Sequence, residues 1–252
     1  WWKLAGPNDF WLGGFVWTGL DYRGEPTPFQ WPNINSHFGI MDVCGFPKNI
    51  YYYYKSWWTQ DDVLHISPHW NWKGKEGKPI DVWVNSNADN VELFLNGKSL
   101  GKKQMPKNKH LQWLVNYEPG KLEAIAYRNN KKITTSVATT TEPLTIELKP
   151  STTKIMANGK DAVVVDVSVK DIDGRLVPDA NNLIKFSING DAQIIGVGNG
   201  DPSSHEPDKC ATGKWQRTLF NGHCQIILQA GKTNSTIQLK ASSTFMQTAT
   251  LT

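Results

Sequence analysis

Asp21 and Glu25 stand four residues apart in the run Gly13-Gly14-Phe15-Val16-Trp17-Thr18-Gly19-Leu20-Asp21-Tyr22-Arg23-Gly24-Glu25-Pro26-Thr27-Pro28. Two carboxylates at that spacing suit three kinds of chemistry. They can act as nucleophile and acid/base, which in retaining glycoside hydrolysis needs carboxyl groups roughly 5–5.5 Å apart. They can accept charge-assisted hydrogen bonds from sugar hydroxyls. They can also simply hold the loop. The apolar run Phe15-Val16-Trp17, set between glycines, reads as a short strand that delivers them. It also delivers Trp17, whose flat ring either stacks on the C–H face of a sugar or packs in a core. A strand-then-loop of this texture looks like the last stave of an α/β barrel. Barrel enzymes draw their catalytic residues from the ends of several strands, so one loop is not expected to supply both reacting acids.

The chain of 252 residues is long enough for two or three domains. The net charge of +4 is small and dispersed, which argues against nucleic acid, since that recognition needs a concentrated basic face. The densest basic run, Lys98 to Lys109, holds five lysines around a turn signal and reads as a solvated hairpin. Seven of the twelve tryptophans precede residue 60, a bias that suits glycan handling or core filling. Cys44, Cys210 and Cys224 carry no zinc spacing, and buried thiols are expected rather than a Cys210–Cys224 bridge. No apolar run is long enough to span a membrane. The chain opens mid-pattern at Trp1-Trp2-Lys3, as an excised fragment would.

Three textures follow one another. Residues 1–60 are rich in Trp, Tyr, Gly and Pro. After a Pro-rich loop, Pro26 to Pro32, and a breaker at Gly45-Phe46-Pro47, the segment Asn49–Trp58 places Ile50, Tyr53, Tyr54 and Trp57 on one helical face. Residues 61–142 switch to period two. Pro79–Val84, Val91–Leu95, Leu111–Tyr117 and Lys121–Tyr127 read as strands, with Asn96-Gly97 and Asn129-Asn130 as hairpin turns. Residues 143–252 carry a further seven or so short strands, which predicts an immunoglobulin-like sandwich. The turn Asp171-Ile172-Asp173-Gly174 lacks the other ligands of a calcium loop, and no metal is expected there. The expected fold is therefore mainly β: two antiparallel sandwiches preceded by one βα unit.

The run from Gly13 to Pro28 resembles the eighth barrel strand of family 2 glycoside hydrolases, in particular their β-galactosidase branch. Val91 to Gly101, with Leu93-Phe94-Leu95-Asn96-Gly97-Lys98-Ser99-Leu100-Gly101, resembles the sandwich modules that follow those barrels. Val197-Gly198-Asn199-Gly200-Asp201-Pro202-Ser203-Ser204-His205-Glu206 resembles the sandwich domain that closes many of them. The resemblance covers nearly the whole chain. It implies residues 1–60 as the end of the (β/α)8 barrel, 61–142 as a small sandwich and 143–252 as an immunoglobulin-like domain. It implies a parent enzyme that hydrolyses terminal β-galactosides with retention and uses no cofactor. Trp17 would be the aromatic floor of the cleavage subsite, and Asp21 and Glu25 would bind galactosyl hydroxyls or structure the loop.

In that family the acid/base follows an Asn-Glu pair after the fourth strand, and the nucleophilic Glu ends the seventh. Both precede the strand matched here, and the chain contains no Asn-Glu dipeptide. Neither catalytic carboxylate is therefore expected in it, and the segment alone is expected to be inactive. The β-glucuronidases of the family carry Asn-x-Lys just before a Gly-Ile. Here Gly39-Ile40 follows Ser36-His37-Phe38, with no cation at the lysine position, which favours a neutral sugar. His37 either lines the pocket or is a loop histidine. The expected partners are a β-galactoside and the rest of the barrel. A periplasmic or extracellular parent is expected, and no oligomeric state is assigned. The alternative reading is a glycan-binding or spacer module, with Trp70, Trp72 or Trp83 as an exposed platform.

Overall fold

The computed structural model describes residues 2–252, and Trp1 lies outside them. The chain is mainly β and divides into two compact units. The first comprises residues up to Leu20, Phe38–Met41 and Pro47–Thr139; the second comprises Asp21–His37, Asp42–Phe46 and Thr140–Thr252.

In the first unit a short turn of helix, α1 (Trp2–Ala5), precedes an irregular stretch. The strand expected over Phe15–Trp17 forms no ladder among the described residues. Phe15 and Trp17 are exposed, and pairing begins one residue later. Thr18 and Gly19 accept hydrogen bonds from the amides of Ile40 and Met41, both at 2.9 Å, and Leu20 bridges Met41 in parallel. A buried parallel stave needs neighbours on both sides, and among the described residues only the 38–41 side is supplied. Helix α2 (Asn49–Trp58) has the expected bounds but not the expected face. Ile50 is exposed, and Ser56 is the helix's buried residue. Its near neighbour on that face, Tyr52, stacks on His65 with centroids 3.6 Å apart. The tyrosine-rich sequence makes every face of this helix partly apolar, so the period alone misplaces the buried stripe.

Seven strands complete this unit: β1 (Leu64–Ser67), β2 (Pro79–Ser86), β3 (Asn90–Leu95), β4 (Lys98–Gln104), β5 (Leu111–Asn116), β6 (Lys121–Arg128) and β7 (Lys131–Ala138). They form two antiparallel sheets, ordered β1-β2-β5 and β4-β3-β6-β7. The β3–β4 turn uses Asn96 at φ 50° and Gly97 at φ 82°, and the β6–β7 turn uses Asn129 and Asn130 at 49° and 64°. Two successive positive φ values match the twist of the flanking strands, as the Asn-Gly signal predicts. The core is built on alternate residues, among them Val82, Val84, Val91, Leu93, Leu122 and Ala124. Trp70 sits inside it, fully buried, with Nε1 donating to the Glu118 carbonyl at 3.0 Å and Tyr117 edge-on at 5.2 Å. The platform role considered for Trp70 is thereby overturned: its ring is sealed within the sandwich. Trp72 carries His69 on its ring and the Lys75 ammonium 4.5 Å from its centroid.

The second unit holds β8 (Thr145–Pro150), β9 (Ala162–Lys170), β10 (Leu183–Asn189), β11 (Ala192–Gly198), β12 (Gln216–Thr218), β13 (His223–Ala230), β14 (Gln238–Ser242) and β15 (Ala249–Leu251). Its two four-stranded sheets, β11-β13-β9-β8 and β12-β10-β14-β15, enclose Val165, Val167, Ile184, Ile226 and Leu239. Asp171 ends β9 by accepting the amides of Asp173 and Arg175 at 3.0 and 2.8 Å, while Arg175 Nε donates to it at 2.9 Å. Backbone and guanidinium thus occupy the oxygens of the Asp171 turn. All three cysteines are free thiols.

Candidate functional site

The three residues singled out for sugar contact fall in different surroundings. Trp17, in the first unit, is 73 % exposed, and the Trp17–Thr18 peptide is cis. The backbone just beyond it is pinned to residues 38–41, so the indole projects from a fixed point. In the second unit Asp21 is buried and Glu25 is exposed at φ 48°. Ser36 Oγ donates to Asp21 Oδ1 at 3.4 Å and accepts the Tyr22 amide at 3.1 Å. The Tyr22 hydroxyl donates to the Glu25 carboxylate.

These contacts belong to a two-legged loop. Its legs are paired by Gly24 N to Ile34 O at 2.8 Å, Ser36 N to Tyr22 O at 2.9 Å and an antiparallel Arg23–Asn35 bridge. The Pro26–Pro32 tip holds Phe29 and Trp31, both exposed, with Phe29 4.0 Å from the His37 ring. Sequence reasoning did not single out either aromatic. Proline density on both sides was the available signal, because a stiff loop can present an apolar ring without collapsing it inward.

The Gly198–Glu206 run holds this loop in place. The amides of Ile34 and Asn35 donate to the Pro202 carbonyl at 2.9 and 3.3 Å. Arg23 pairs with Asp208 at 2.6 Å, and Asp208 in turn takes Arg217 at 2.6 Å. Gly200 passes so close to Asp42 that a Cβ there would fall 1.8 Å from its Oδ2. Asp42 itself caps the 42–46 turn by accepting the amides of Cys44 and Phe46. Gln225 Nε2 donates to the Cys44 carbonyl at 3.1 Å. The glycines thus allow close backbone approach rather than cradling an anion. Asp21, Arg23, Cys44, Arg217 and Gln225 border a cavity of about 400 Å³. Burial, with Asp42 beside it, pushes the Cys44 thiol up to about 12, so this sulfur is not a nucleophile. Among the described residues no group of three or more His, Cys, Asp or Glu side chains could hold a metal ion.

The described chain is therefore a pair of β-sandwich units preceded by a pinned segment that exposes a tryptophan. Comparison with known proteins gives the family. Residues 146–252 match the family described as glycoside hydrolase family 2 C-terminal domain 5, and residues 77–134 match a domain of unknown function (DUF4982). The chain is 44 % identical over 252 residues to the β-galactosidase BoGH2A of Bacteroides ovatus, covering 99 % of this chain and 29 % of that protein. It is 38 % identical over 238 residues to a putative β-glucuronidase of Formosa agariphila, covering 91 % and 22 %. A solved family 2 glycosyl hydrolase from Bacteroides cellulosilyticus superposes with a TM-score of 0.89 at 30 % identity, over 99 % of this chain and 37 % of that one. The chain belongs to the C-terminal region of glycoside hydrolase family 2. It spans less than a third of the length of these curated relatives.

Proposed function

We propose that this chain is the C-terminal part of a retaining β-galactosidase, supplying part of the sugar subsite but neither catalytic carboxylate. The observation that carries this reading is Trp17: a large indole, 73 % exposed, on a backbone fixed by residues 38–41. An indole exposed to this degree offers a flat apolar surface on which the C–H face of a ring can stack. A pyranose presents such a face. Asp21 and Glu25 are the proposed hydroxyl-binding or loop-holding carboxylates. The neutral-sugar preference is supported by Ser36-His37-Phe38 ahead of Gly39-Ile40, where no cation stands at the lysine position of the β-glucuronidase pattern. The relatives include proteins named for galactosides and for glucuronides, so substrate choice is the point to test. The full-length enzyme should turn over 4-nitrophenyl β-galactoside with a kcat/KM at least about 100-fold above that for the β-glucuronide, a gap of roughly 2.7 kcal/mol. The 252-residue chain alone should turn over neither. A preference for the glucuronide, or turnover by the chain alone, would overturn the reading.

A further inference from the structure

The outer face of β2 borders a second cleft, apart from Trp17, and the strand itself lies within the segment that matches a domain of unknown function. Asp81, Trp83 and Asn85 occupy alternate positions of the strand and therefore share one face. Helix α2 forms the opposite wall through Asn49 and Tyr53, and His110 closes one side. The cleft so formed has a volume of about 410 Å³. That is within the usual range for small-molecule sites.

Its chemistry is specific. The Trp83 indole is 42 % exposed and stacks on His110 with centroids 3.9 Å apart and planes 9° apart. The Asp81 carboxylate accepts Trp83 Nε1 at 3.0 Å and Gln112 Nε2 at 2.7 Å, which fixes the plane of the indole. Asn85 is buried beneath, with its amide nitrogen 3.5 Å from the Asn49 carbonyl. Tyr53 donates its hydroxyl to the Asn108 carbonyl at 2.9 Å, which orients its ring. Burial lowers the pKa of His110, keeping the imidazole neutral near neutrality. Among the described residues no lysine or arginine lines the cleft, and Asp81 repels an anion, so phosphates, sulfates and uronates are disfavoured. A cationic ligand would find only one carboxylate, already engaged twice. What fits is a neutral, hydroxyl-rich ring: an aromatic stack for its C–H face, with a carboxylate and amides for its hydroxyls.

We infer that this cleft binds a neutral glycan of one or two pyranose rings, making the small sandwich a carbohydrate-binding module. Trp72 and Trp70 do not serve, since neither lines the cleft and Trp70 is sealed in the core. The inference is independent of the galactosidase reading, because it needs no catalytic residue.

Native gels containing galactomannan or polygalacturonate, run with the 252-residue chain, test this, together with calorimetric titration of lactose and cellobiose. Galactomannan should retard the chain and polygalacturonate should not. At least one disaccharide should bind with a Kd in the millimolar range. Trp83→Ala should weaken binding at least tenfold and His110→Ala several-fold, while Trp58→Ala, away from the cleft, should leave it unchanged. Should Trp83→Ala unfold, as read by far-UV circular dichroism, His110→Ala and Asp81→Asn carry the same test. Failure of every neutral probe to bind, or binding that these cleft substitutions leave unaltered, would overturn the inference.

Discussion

His205 holds Trp31 from the far end of the chain: its Nε2 lies 2.9 Å from the Pro32 carbonyl, and the two rings are 4.4 Å apart. The loop after β11 is thus a clamp on the Pro-rich loop that follows Asp21 and Glu25. This gives a structural role to a glycine-rich run that lacks the following helix a phosphate site needs. His205→Ala removes one hydrogen bond and one ring contact, about 1 kcal/mol together, so local opening of residues 26–33 should rise about fivefold. Chymotryptic cleavage after Phe29 under native conditions should accelerate by that factor. Equal rates in both proteins would mean the clamp does not restrain the loop.

Trp70 and Trp72 differ by two positions and should differ greatly in cost. Trp70→Ala empties a fully buried site and leaves the Glu118 carbonyl without its donor. A loss of about 3–5 kcal/mol is expected. Trp72→Ala removes a half-buried ring held by His69 and Lys75, and should cost about 1 kcal/mol. Urea denaturation of the 252-residue chain, followed by circular dichroism, measures both. Similar losses would contradict the placement of Trp70 at the centre of the first sandwich.

The His65 pKa falls from 6.5 to about 4 because burial disfavours the imidazolium. The unfolded chain therefore takes up a proton at a pH where the folded chain does not. Stability from this group is fully present above 6.5 and is lost as the pH falls from 6.5 toward 4. The loss is on the order of 1–3 kcal/mol. His223 and His110 are lowered too, again through burial, and act in the same direction. His65→Gln should flatten that part of the stability profile, so the wild-type advantage over the variant should shrink on acidification. A constant difference between pH 7 and pH 4 would refute it.

Burial raises the thiol pKa of Cys44 and of Cys224, in the second case with no exposed sulfur surface left to attack. Cys210 is only partly buried, its sulfur near the carbonyls of Pro207 and Gln216. Iodoacetamide at pH 8 should therefore label Cys210 in the folded chain, and Cys44 and Cys224 only after denaturation. Native labelling of Cys224, read by peptide mass spectrometry, would contradict the packing around β13.

Period-two alternation made most of the sheet legible. The hairpin turns at Asn96-Gly97 and Asn129-Asn130 were readable because two left-handed residues in succession are a chemical requirement that few sequences meet. Strands β1 and β7 left weaker traces: Leu64–Ser67 is short, and Lys131–Ala138 packs little of its surface. The buried side of α2 was not legible, since Tyr52 is chosen by its stack on His65, a partner distant from any helical repeat. The same limit hid Trp31 and Arg217. Trp31 is steadied by His205, and Arg217 is buried on β12 beside Asp208, and nothing local to either sequence announces the partner.

The central claim is that Trp17 is a sugar platform in an enzyme whose reacting acids lie outside this chain. The direct measurement is kcat/KM of the full-length enzyme on 4-nitrophenyl β-galactoside with Trp17→Ala, with the fold checked by circular dichroism. The account predicts a folded enzyme with activity lowered about 10- to 100-fold, a loss of roughly 1.4–2.7 kcal/mol in transition-state binding. Unchanged kcat/KM in the folded variant would contradict it.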